Sequence, residues 1–172
     1  MSVKEEPLCY KFAEFEEPTE VTDIVSSGSK LVVGVPVGVS SYNFSVTGTY
    51  EGDSKIFEIT EGNIFMNGFV TTIKVLYSPN NDFAVGDEIR IFSAGTGWGE
   101  NLDLDKEYLL SFDEWEDIYK YSCGVDSIFE IGSDFSVTSR SVFEATSKLD
   151  TLSLAEAVTV LKNAIEDKQA LE

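Results

Sequence analysis

Histidine is absent from the 172 residues. Its absence removes the commonest general base, the usual serine and cysteine triads and nearly every zinc site. Any catalysis would fall to carboxylates, tyrosine, lysine or a bare thiol. Basic residues are scarce: 12 Lys and Arg face 31 Asp and Glu, a formal net charge of −19. A field of that sign repels phosphate backbones and anionic lipid, so nucleic-acid binding through a basic patch is not expected. It suits a basic partner or divalent cations, or serves solubility alone. No apolar run approaches the ~18 residues of a membrane span, so no membrane insertion is expected. Cysteine is limited to Cys9 and Cys123, with no Cys-x-x-Cys pair and hence no thioredoxin-like redox centre. They read either as one disulfide tying the N-terminal arm to the body or as two unrelated buried thiols. The loop-entropy model credits so long a closure with roughly 4–5 kcal/mol. No Gly-x-Ser-x-Gly, tandem repeat or low-complexity segment occurs. No signal peptide is visible. Met1-Ser2 reads as a cloning start and Leu171-Glu172 as residues preceding a purification tag, so the expectation is that a natural export signal has been removed.

Hydrophobic residues make up 42% and aromatics 12% of the chain, enough for a real core. The expected organisation is an acidic N-terminal arm over residues 1–17, with aromatics Tyr10, Phe12 and Phe15, and a single domain over 18–170. Apolar residues recur at every second position in Phe69–Tyr77, Glu88–Phe92 and Glu107–Phe112, the period of a strand with one buried face. Leu31-Val32-Val33-Gly34-Val35 reads as a strand buried on both faces, with Pro36 marking an edge or a bulge. Tyr42–Tyr50 alternates again, Asn67-Gly68 is a turn signal, and Pro79–Asp82 marks another turn. Further strands are predicted at Ser127–Ile131 and Phe135–Phe143. Pro18–Ser27 reads as a short helix with Thr19 as a possible cap and Gly28 ending it. Ser153-Leu154-Ala155-Glu156 is a capping box before a helical stripe of Leu154, Val158, Leu161 and Ile165. Short strands with few helices point to a mainly β (α+β) fold, a barrel or sandwich with helical additions.

Three segments are site-like, each with a plainer reading. Gly95-Thr96-Gly97-Trp98-Gly99 is followed by acids rather than by a helix and a Lys, so a phosphate loop is not indicated. It reads as an inter-strand loop whose Trp98 would anchor a partner or a sugar. Asn101, Asp103, Asp105 and Glu107 alternate as in a calcium loop but lack its glycine, its terminal Glu and its helices, so a solvated face of an extended segment is expected and no metal or other cofactor. Asp113, Glu114, Glu116 and Asp117 surround Trp115, a second candidate partner anchor. A carboxylate pair held ~5–10 Å apart in a cleft hydrolyses glycosides, whereas charges in a connection are usually solvated.

Taken in order, Glu20–Val25, Leu31-Val32-Val33-Gly34-Val35, Val85-Gly86-Asp87-Glu88-Ile89, Leu104–Phe112, Gly124 with Ile128-Phe129-Glu130-Ile131, and the Leu154 helix resemble a group of uncharacterised exported or cell-surface proteins of Gram-positive bacteria. That group in turn is similar to netrin-like domains, the OB-type barrels of tissue inhibitors of metalloproteinases. Asp105-Lys106 departs from the Val-Gly turn of the pattern, and residues 51–68 read as an insertion. The inhibitors depend on an N-terminal Cys; Cys9 lies inside an arm, so inhibition is not carried over. The resemblance implies an OB-like closed antiparallel β-barrel with a short N-terminal helix and a C-terminal amphipathic helix, in an extracytoplasmic setting. The function expected is a non-enzymatic module that binds a protein or a cell-envelope component. The alternatives are an acidic immunity or nucleic-acid-mimicking protein that neutralises a basic partner, and a carboxylate-dependent glycan hydrolase.

Overall fold

The structure, a computed structural model, describes residues 18–51, 54–61, 66–94, 100–115, 117–141 and 143–172, without the side chains of 42–67 and 94. Among the described residues eight strands carry the fold: β1 (Lys30–Glu51), β2 (Ser54–Glu61), β3 (Met66–Tyr77), β4 (Glu88–Ala94), β5 (Tyr108–Trp115), β6 (Ile118–Tyr121), β7 (Ile128–Ile131) and β8 (Val137–Ser139). Two helices follow, α1 (Glu144–Ser147) and α2 (Leu154–Ala170). The first residues of β1 are paired on both sides, Val33 with Tyr77 of β3 and with Leu109 of β5. This double pairing closes the ring β1-β3-β4-β6-β5 and removes the sheet edges that would otherwise stay open. All its pairings are antiparallel except β4 with β6, which is parallel. Numbered within the ring alone, the strand order is 1-2-3-5-4, that of an OB-type barrel. The expected OB-like barrel is present. Beyond it β1 continues and pairs with β2 from Phe44↔Glu61 to Glu51↔Ser54, forming an arm where the sequence suggested an insertion.

Alternation along the strands builds two cores. Val32 points into the barrel with Ile73, Ile91, Leu110 and Phe112. Its neighbours Leu31 and Val33 point outward, under Ala157, Leu161 and Ile165 of α2. One strand therefore serves both layers, which is why its sequence is apolar without interruption. Full burial of each large aliphatic side chain is worth about 1.5–3 kcal/mol. One end of the barrel is plugged by Phe83, Phe112 and Tyr119, with Phe112 and Tyr119 edge to face at 5.0 Å. As expected, the ladder slips at Pro36, between Pro36 and Gly38.

Several expectations need correction. The N-terminal helix is a single 3₁₀ turn, Val21–Ile24, and by Val25 the backbone is extended. Its β-branched residues favour that early exit. Thr19 does not cap it; the Asp23 carboxylate reaches back to accept from the backbone N–H groups of Thr19 and Glu20. Asn67-Gly68 is not a turn but lies inside β3, where Gly68 faces Tyr42 and Ala94. A Cβ at Gly68 would stand 2.3 Å from the Phe92 ring, so the glycine serves close approach, not chain reversal. The strand foreseen over Phe135–Phe143 shrinks to β8, because Phe135 takes a left-handed φ of 61° and α1 follows. Asn101 to Glu107 is not extended: Asp105 adopts φ 71°, and Lys106 bridges Asp103 and Glu130, both at 3.2 Å. At α2, Ser153 Oγ accepts from Glu156 N–H as foreseen, but the Glu156 carboxylate takes the Ser153 hydroxyl instead of its backbone.

Candidate functional site: an aspartate hub, a stacked tryptophan and a polar cleft

On β5 the odd-numbered residues face outward, starting with Leu109 under α2. The next two outward positions, Ser111 and Asp113, are polar, and the sequence supplies hydroxyls to meet them. Asp113 Oδ1 accepts from Ser29 Oγ at 2.6 Å and Ser122 Oγ at 2.8 Å, while its Oδ2 accepts from Ser26 Oγ at 2.8 Å. Ser111 and Ser122 hydroxyls meet at 2.7 Å, and Ser29 Oγ also accepts from Ser26 N–H at 2.8 Å. Hydrogen bonds to an ionised acceptor are about twice as strong as neutral ones. The cluster therefore fastens the Ser26–Ser29 turn, which leads into β1, to the β5–β6 hairpin.

This geometry separates the acids that surround Trp115. Asp113 is occupied as a hydrogen-bond hub, while Glu114, its successor in an extended strand, faces the other way and is exposed. Asp117 is exposed in the hairpin turn, and Glu116 lies outside the described residues. Among the described residues no three metal-ligating side chains converge.

Trp115 ends β5 half-buried, stacked on Phe92 of β4 with ring centroids 4.6 Å apart and planes 20° from parallel. The bare backbone at Gly68 leaves room for the Phe92 ring. Trp98, with the rest of the 95–99 loop, lies outside the described residues, as does Cys9. Cys123 is disulfide-bonded and buried, and its N–H donates to Ser127 Oγ at 2.6 Å.

Directly after that loop, Glu100 is tucked against Gly124 and beside Tyr121. Burial pushes its carboxyl up to about 7. Burial also holds the Tyr121 phenol far above its ordinary range, reinforced by the Glu100 charge and opposed by Arg140. Arg140 donates to the Tyr108 hydroxyl at 3.1 Å and to the Asn101 carbonyl, holding the strand exit of β8 against the 101–108 turn. Nearby Asp126 is buried and its carboxyl is raised by desolvation, with a Ser141 hydrogen bond opposing.

A cleft of about 360 Å³ opens between α2, the Ser27–Lys30 segment and the Asn80–Asp82 turn. Its α2 wall is tied down at the far end, where Gln169 Nε2 donates to the Ser27 carbonyl at 3.0 Å and Glu172 accepts from the Ser27 hydroxyl.

Neither the serine hub nor Glu100 was singled out from sequence. The hub leaves a faint trace, since Ser111-x-Asp113 alternates on one strand face and Ser26 and Ser29 sit three apart before another strand. Glu100 leaves none; an acid after a glycine-rich loop looks solvated. Comparison with protein-family models, curated proteins and solved structures finds no match to this chain.

Proposed function

We propose that the chain is an extracytoplasmic binding module that docks a protein or a cell-envelope component, with no catalytic step of its own. The observation that carries this reading is the position of Trp115. In OB-type barrels ligands lie across the outer face of the second and third strands, between the loops that join strands one to two and four to five. Here those strands are β3 and β4, the first loop is the arm built from β1 and β2, and the second is the β5–β6 hairpin that begins at Trp115. A large ring at that corner, prestacked on Phe92, is ordered before a partner arrives and costs little entropy on binding. The extracytoplasmic setting draws support from the bonded state of Cys123, since disulfides persist in oxidising compartments.

Fluorescently labelled protein applied to isolated Gram-positive cell envelopes, and to the proteins extracted from them, tests the reading. Saturable binding is expected, weakened about tenfold or more in a Trp115→Ala variant that keeps its fold. Equal binding by the variant, or no saturable binding to either fraction, refutes it. The net charge of −19 favours one second reading, an acidic protein that neutralises a basic partner. Such a complex would weaken steeply between low and high salt and be indifferent to Trp115.

A further inference from the structure

The cleft beside α2 is independent of the Trp115 corner and has its own chemistry. Among the described residues, two ammonium groups, Lys30 and Lys162, and three carboxylates, Asp82, Glu114 and Glu166, line it, with Ile165 the one aliphatic side chain. A pocket so poor in apolar surface offers little hydrophobic driving force, so charge pairing and hydrogen bonds would dominate the hold on its ligand. Lys30 is already shared with Asp82 at 3.7 Å, whereas Lys162 makes no ion pair with any described residue, although Glu166 lies one turn along the same helix. A simple anion would meet three carboxylates inside a strongly negative overall field, and a simple cation would meet both lysines. A zwitterion answers both sets of charges and, being neutral overall, is not repelled by the field.

We propose that this cleft binds a small zwitterion, an α-amino acid or a free dipeptide, with its carboxylate toward Lys162 and Lys30 and its ammonium toward Glu114 and Glu166. The volume has room for roughly a dozen water-sized groups, the scale of one amino acid or a dipeptide. The walls are preset, because the Gln169–Ser27 hydrogen bond fixes α2 and the Ser29–Asp113 hydrogen bond fixes the floor.

Glycylglycine titrated into ¹⁵N-labelled protein is the probe. Saturable shifts of the Gly28, Ser29 and Lys162-to-Gln169 amides are expected below about 50 mM, as suits a ligand held by a few exposed charge pairs. Lys162→Gln and Glu114→Gln should each weaken binding about fivefold, with Glu166→Gln as a further carboxylate variant and Asn163→Ala, on the exposed side of α2, as the unaffected control. Acetate and methylammonium, each carrying half of the charge pattern, should bind about fivefold more weakly than glycylglycine. Acetate or methylammonium binding as tightly as the dipeptide, unchanged affinity in folded Lys162→Gln and Glu114→Gln variants, or no shifts in the cleft overturns the proposal.

Discussion

Glu100→Gln isolates the cost of a single partly buried carboxyl. In the folded chain burial raises Glu100 from 4.5 to about 7. The folded state therefore holds the proton more tightly than the unfolded chain, and stability falls as the pH rises between those two values. Below about pH 4 both states are protonated, and the carboxyl and the amide should be nearly equivalent. Above about pH 8 the wild type carries the full desolvation penalty, at most about 3 kcal/mol by linkage, and residual solvent access at this half-buried site trims that to about 1–2 kcal/mol. The glutamine variant is thus expected to match the wild type in acid and to exceed it by about 1–2 kcal/mol at pH 8, a rise in Tm of roughly 2–8 °C for a chain of this size. Urea unfolding followed by tryptophan fluorescence at half-unit steps from pH 4 to 8.5 reads this directly. Subtracting the variant's curve removes the contribution of every other carboxylate. A difference that stays flat with pH, or a variant less stable than wild type at pH 8, would show that a cation or a hydrogen-bond donor satisfies the ionised group and that burial is not what governs it.

Three further outcomes follow from the packing. Asp113→Ala strips the acceptor from three seryl hydroxyls and should cost about 2–4 kcal/mol in chemical denaturation, clearly more than Ser29→Ala; equal losses would mean that the hub is not centred on the carboxylate. Gly68→Ala drives a methyl against both the Phe92 ring and the Ser93 backbone carbonyl and should destabilise by about 1–3 kcal/mol, with only the ring's share of the loss recovered when Phe92→Leu is added; a Gly68→Ala variant as stable as wild type in chemical denaturation would exclude the clash. Thr71 Oγ1 is buried without a hydrogen-bond partner among the described residues, so Thr71→Val should raise stability by about 1 kcal/mol, and a loss in a melting experiment would reveal a hidden partner.

Much of the scaffold is legible because its signals are local. A strand's two faces alternate residue by residue, so Phe69–Tyr77 and Glu88–Phe92 declare themselves without reference to the rest of the chain; Glu107–Phe112 carries the same alternation and is a strand from Tyr108, but both its faces are buried, Leu109 under α2 and Leu110 in the barrel. The capping serine and apolar stripe of α2 are local in the same sense. Misreadings arose where one residue type serves two purposes. Asn67-Gly68 has turn chemistry, yet the space demanded by Phe92, more than twenty residues on, keeps Gly68 inside a strand. Phe135 carries the apolar character of a strand residue, yet its left-handed backbone ends that reading.

The sequence by itself determined the class of fold, the doubly buried strand at Leu31–Val33, the closing helix and the want of a histidine. Ring closure was decided only by the tertiary structure, since it depends on β1 meeting both β3 and β5, and so was the fate of each acid. Asp113 became a hub because Ser26, Ser29 and Ser122 reach it from distant parts of the chain, while its neighbour Glu114 was left to the cleft. Glu100 became a raised carboxyl because packing beside Gly124 and Tyr121 removes much of its water. A carboxylate's role is set by which groups surround it and how much water remains. Both are properties of packing between segments far apart in sequence, to which a local pattern is blind.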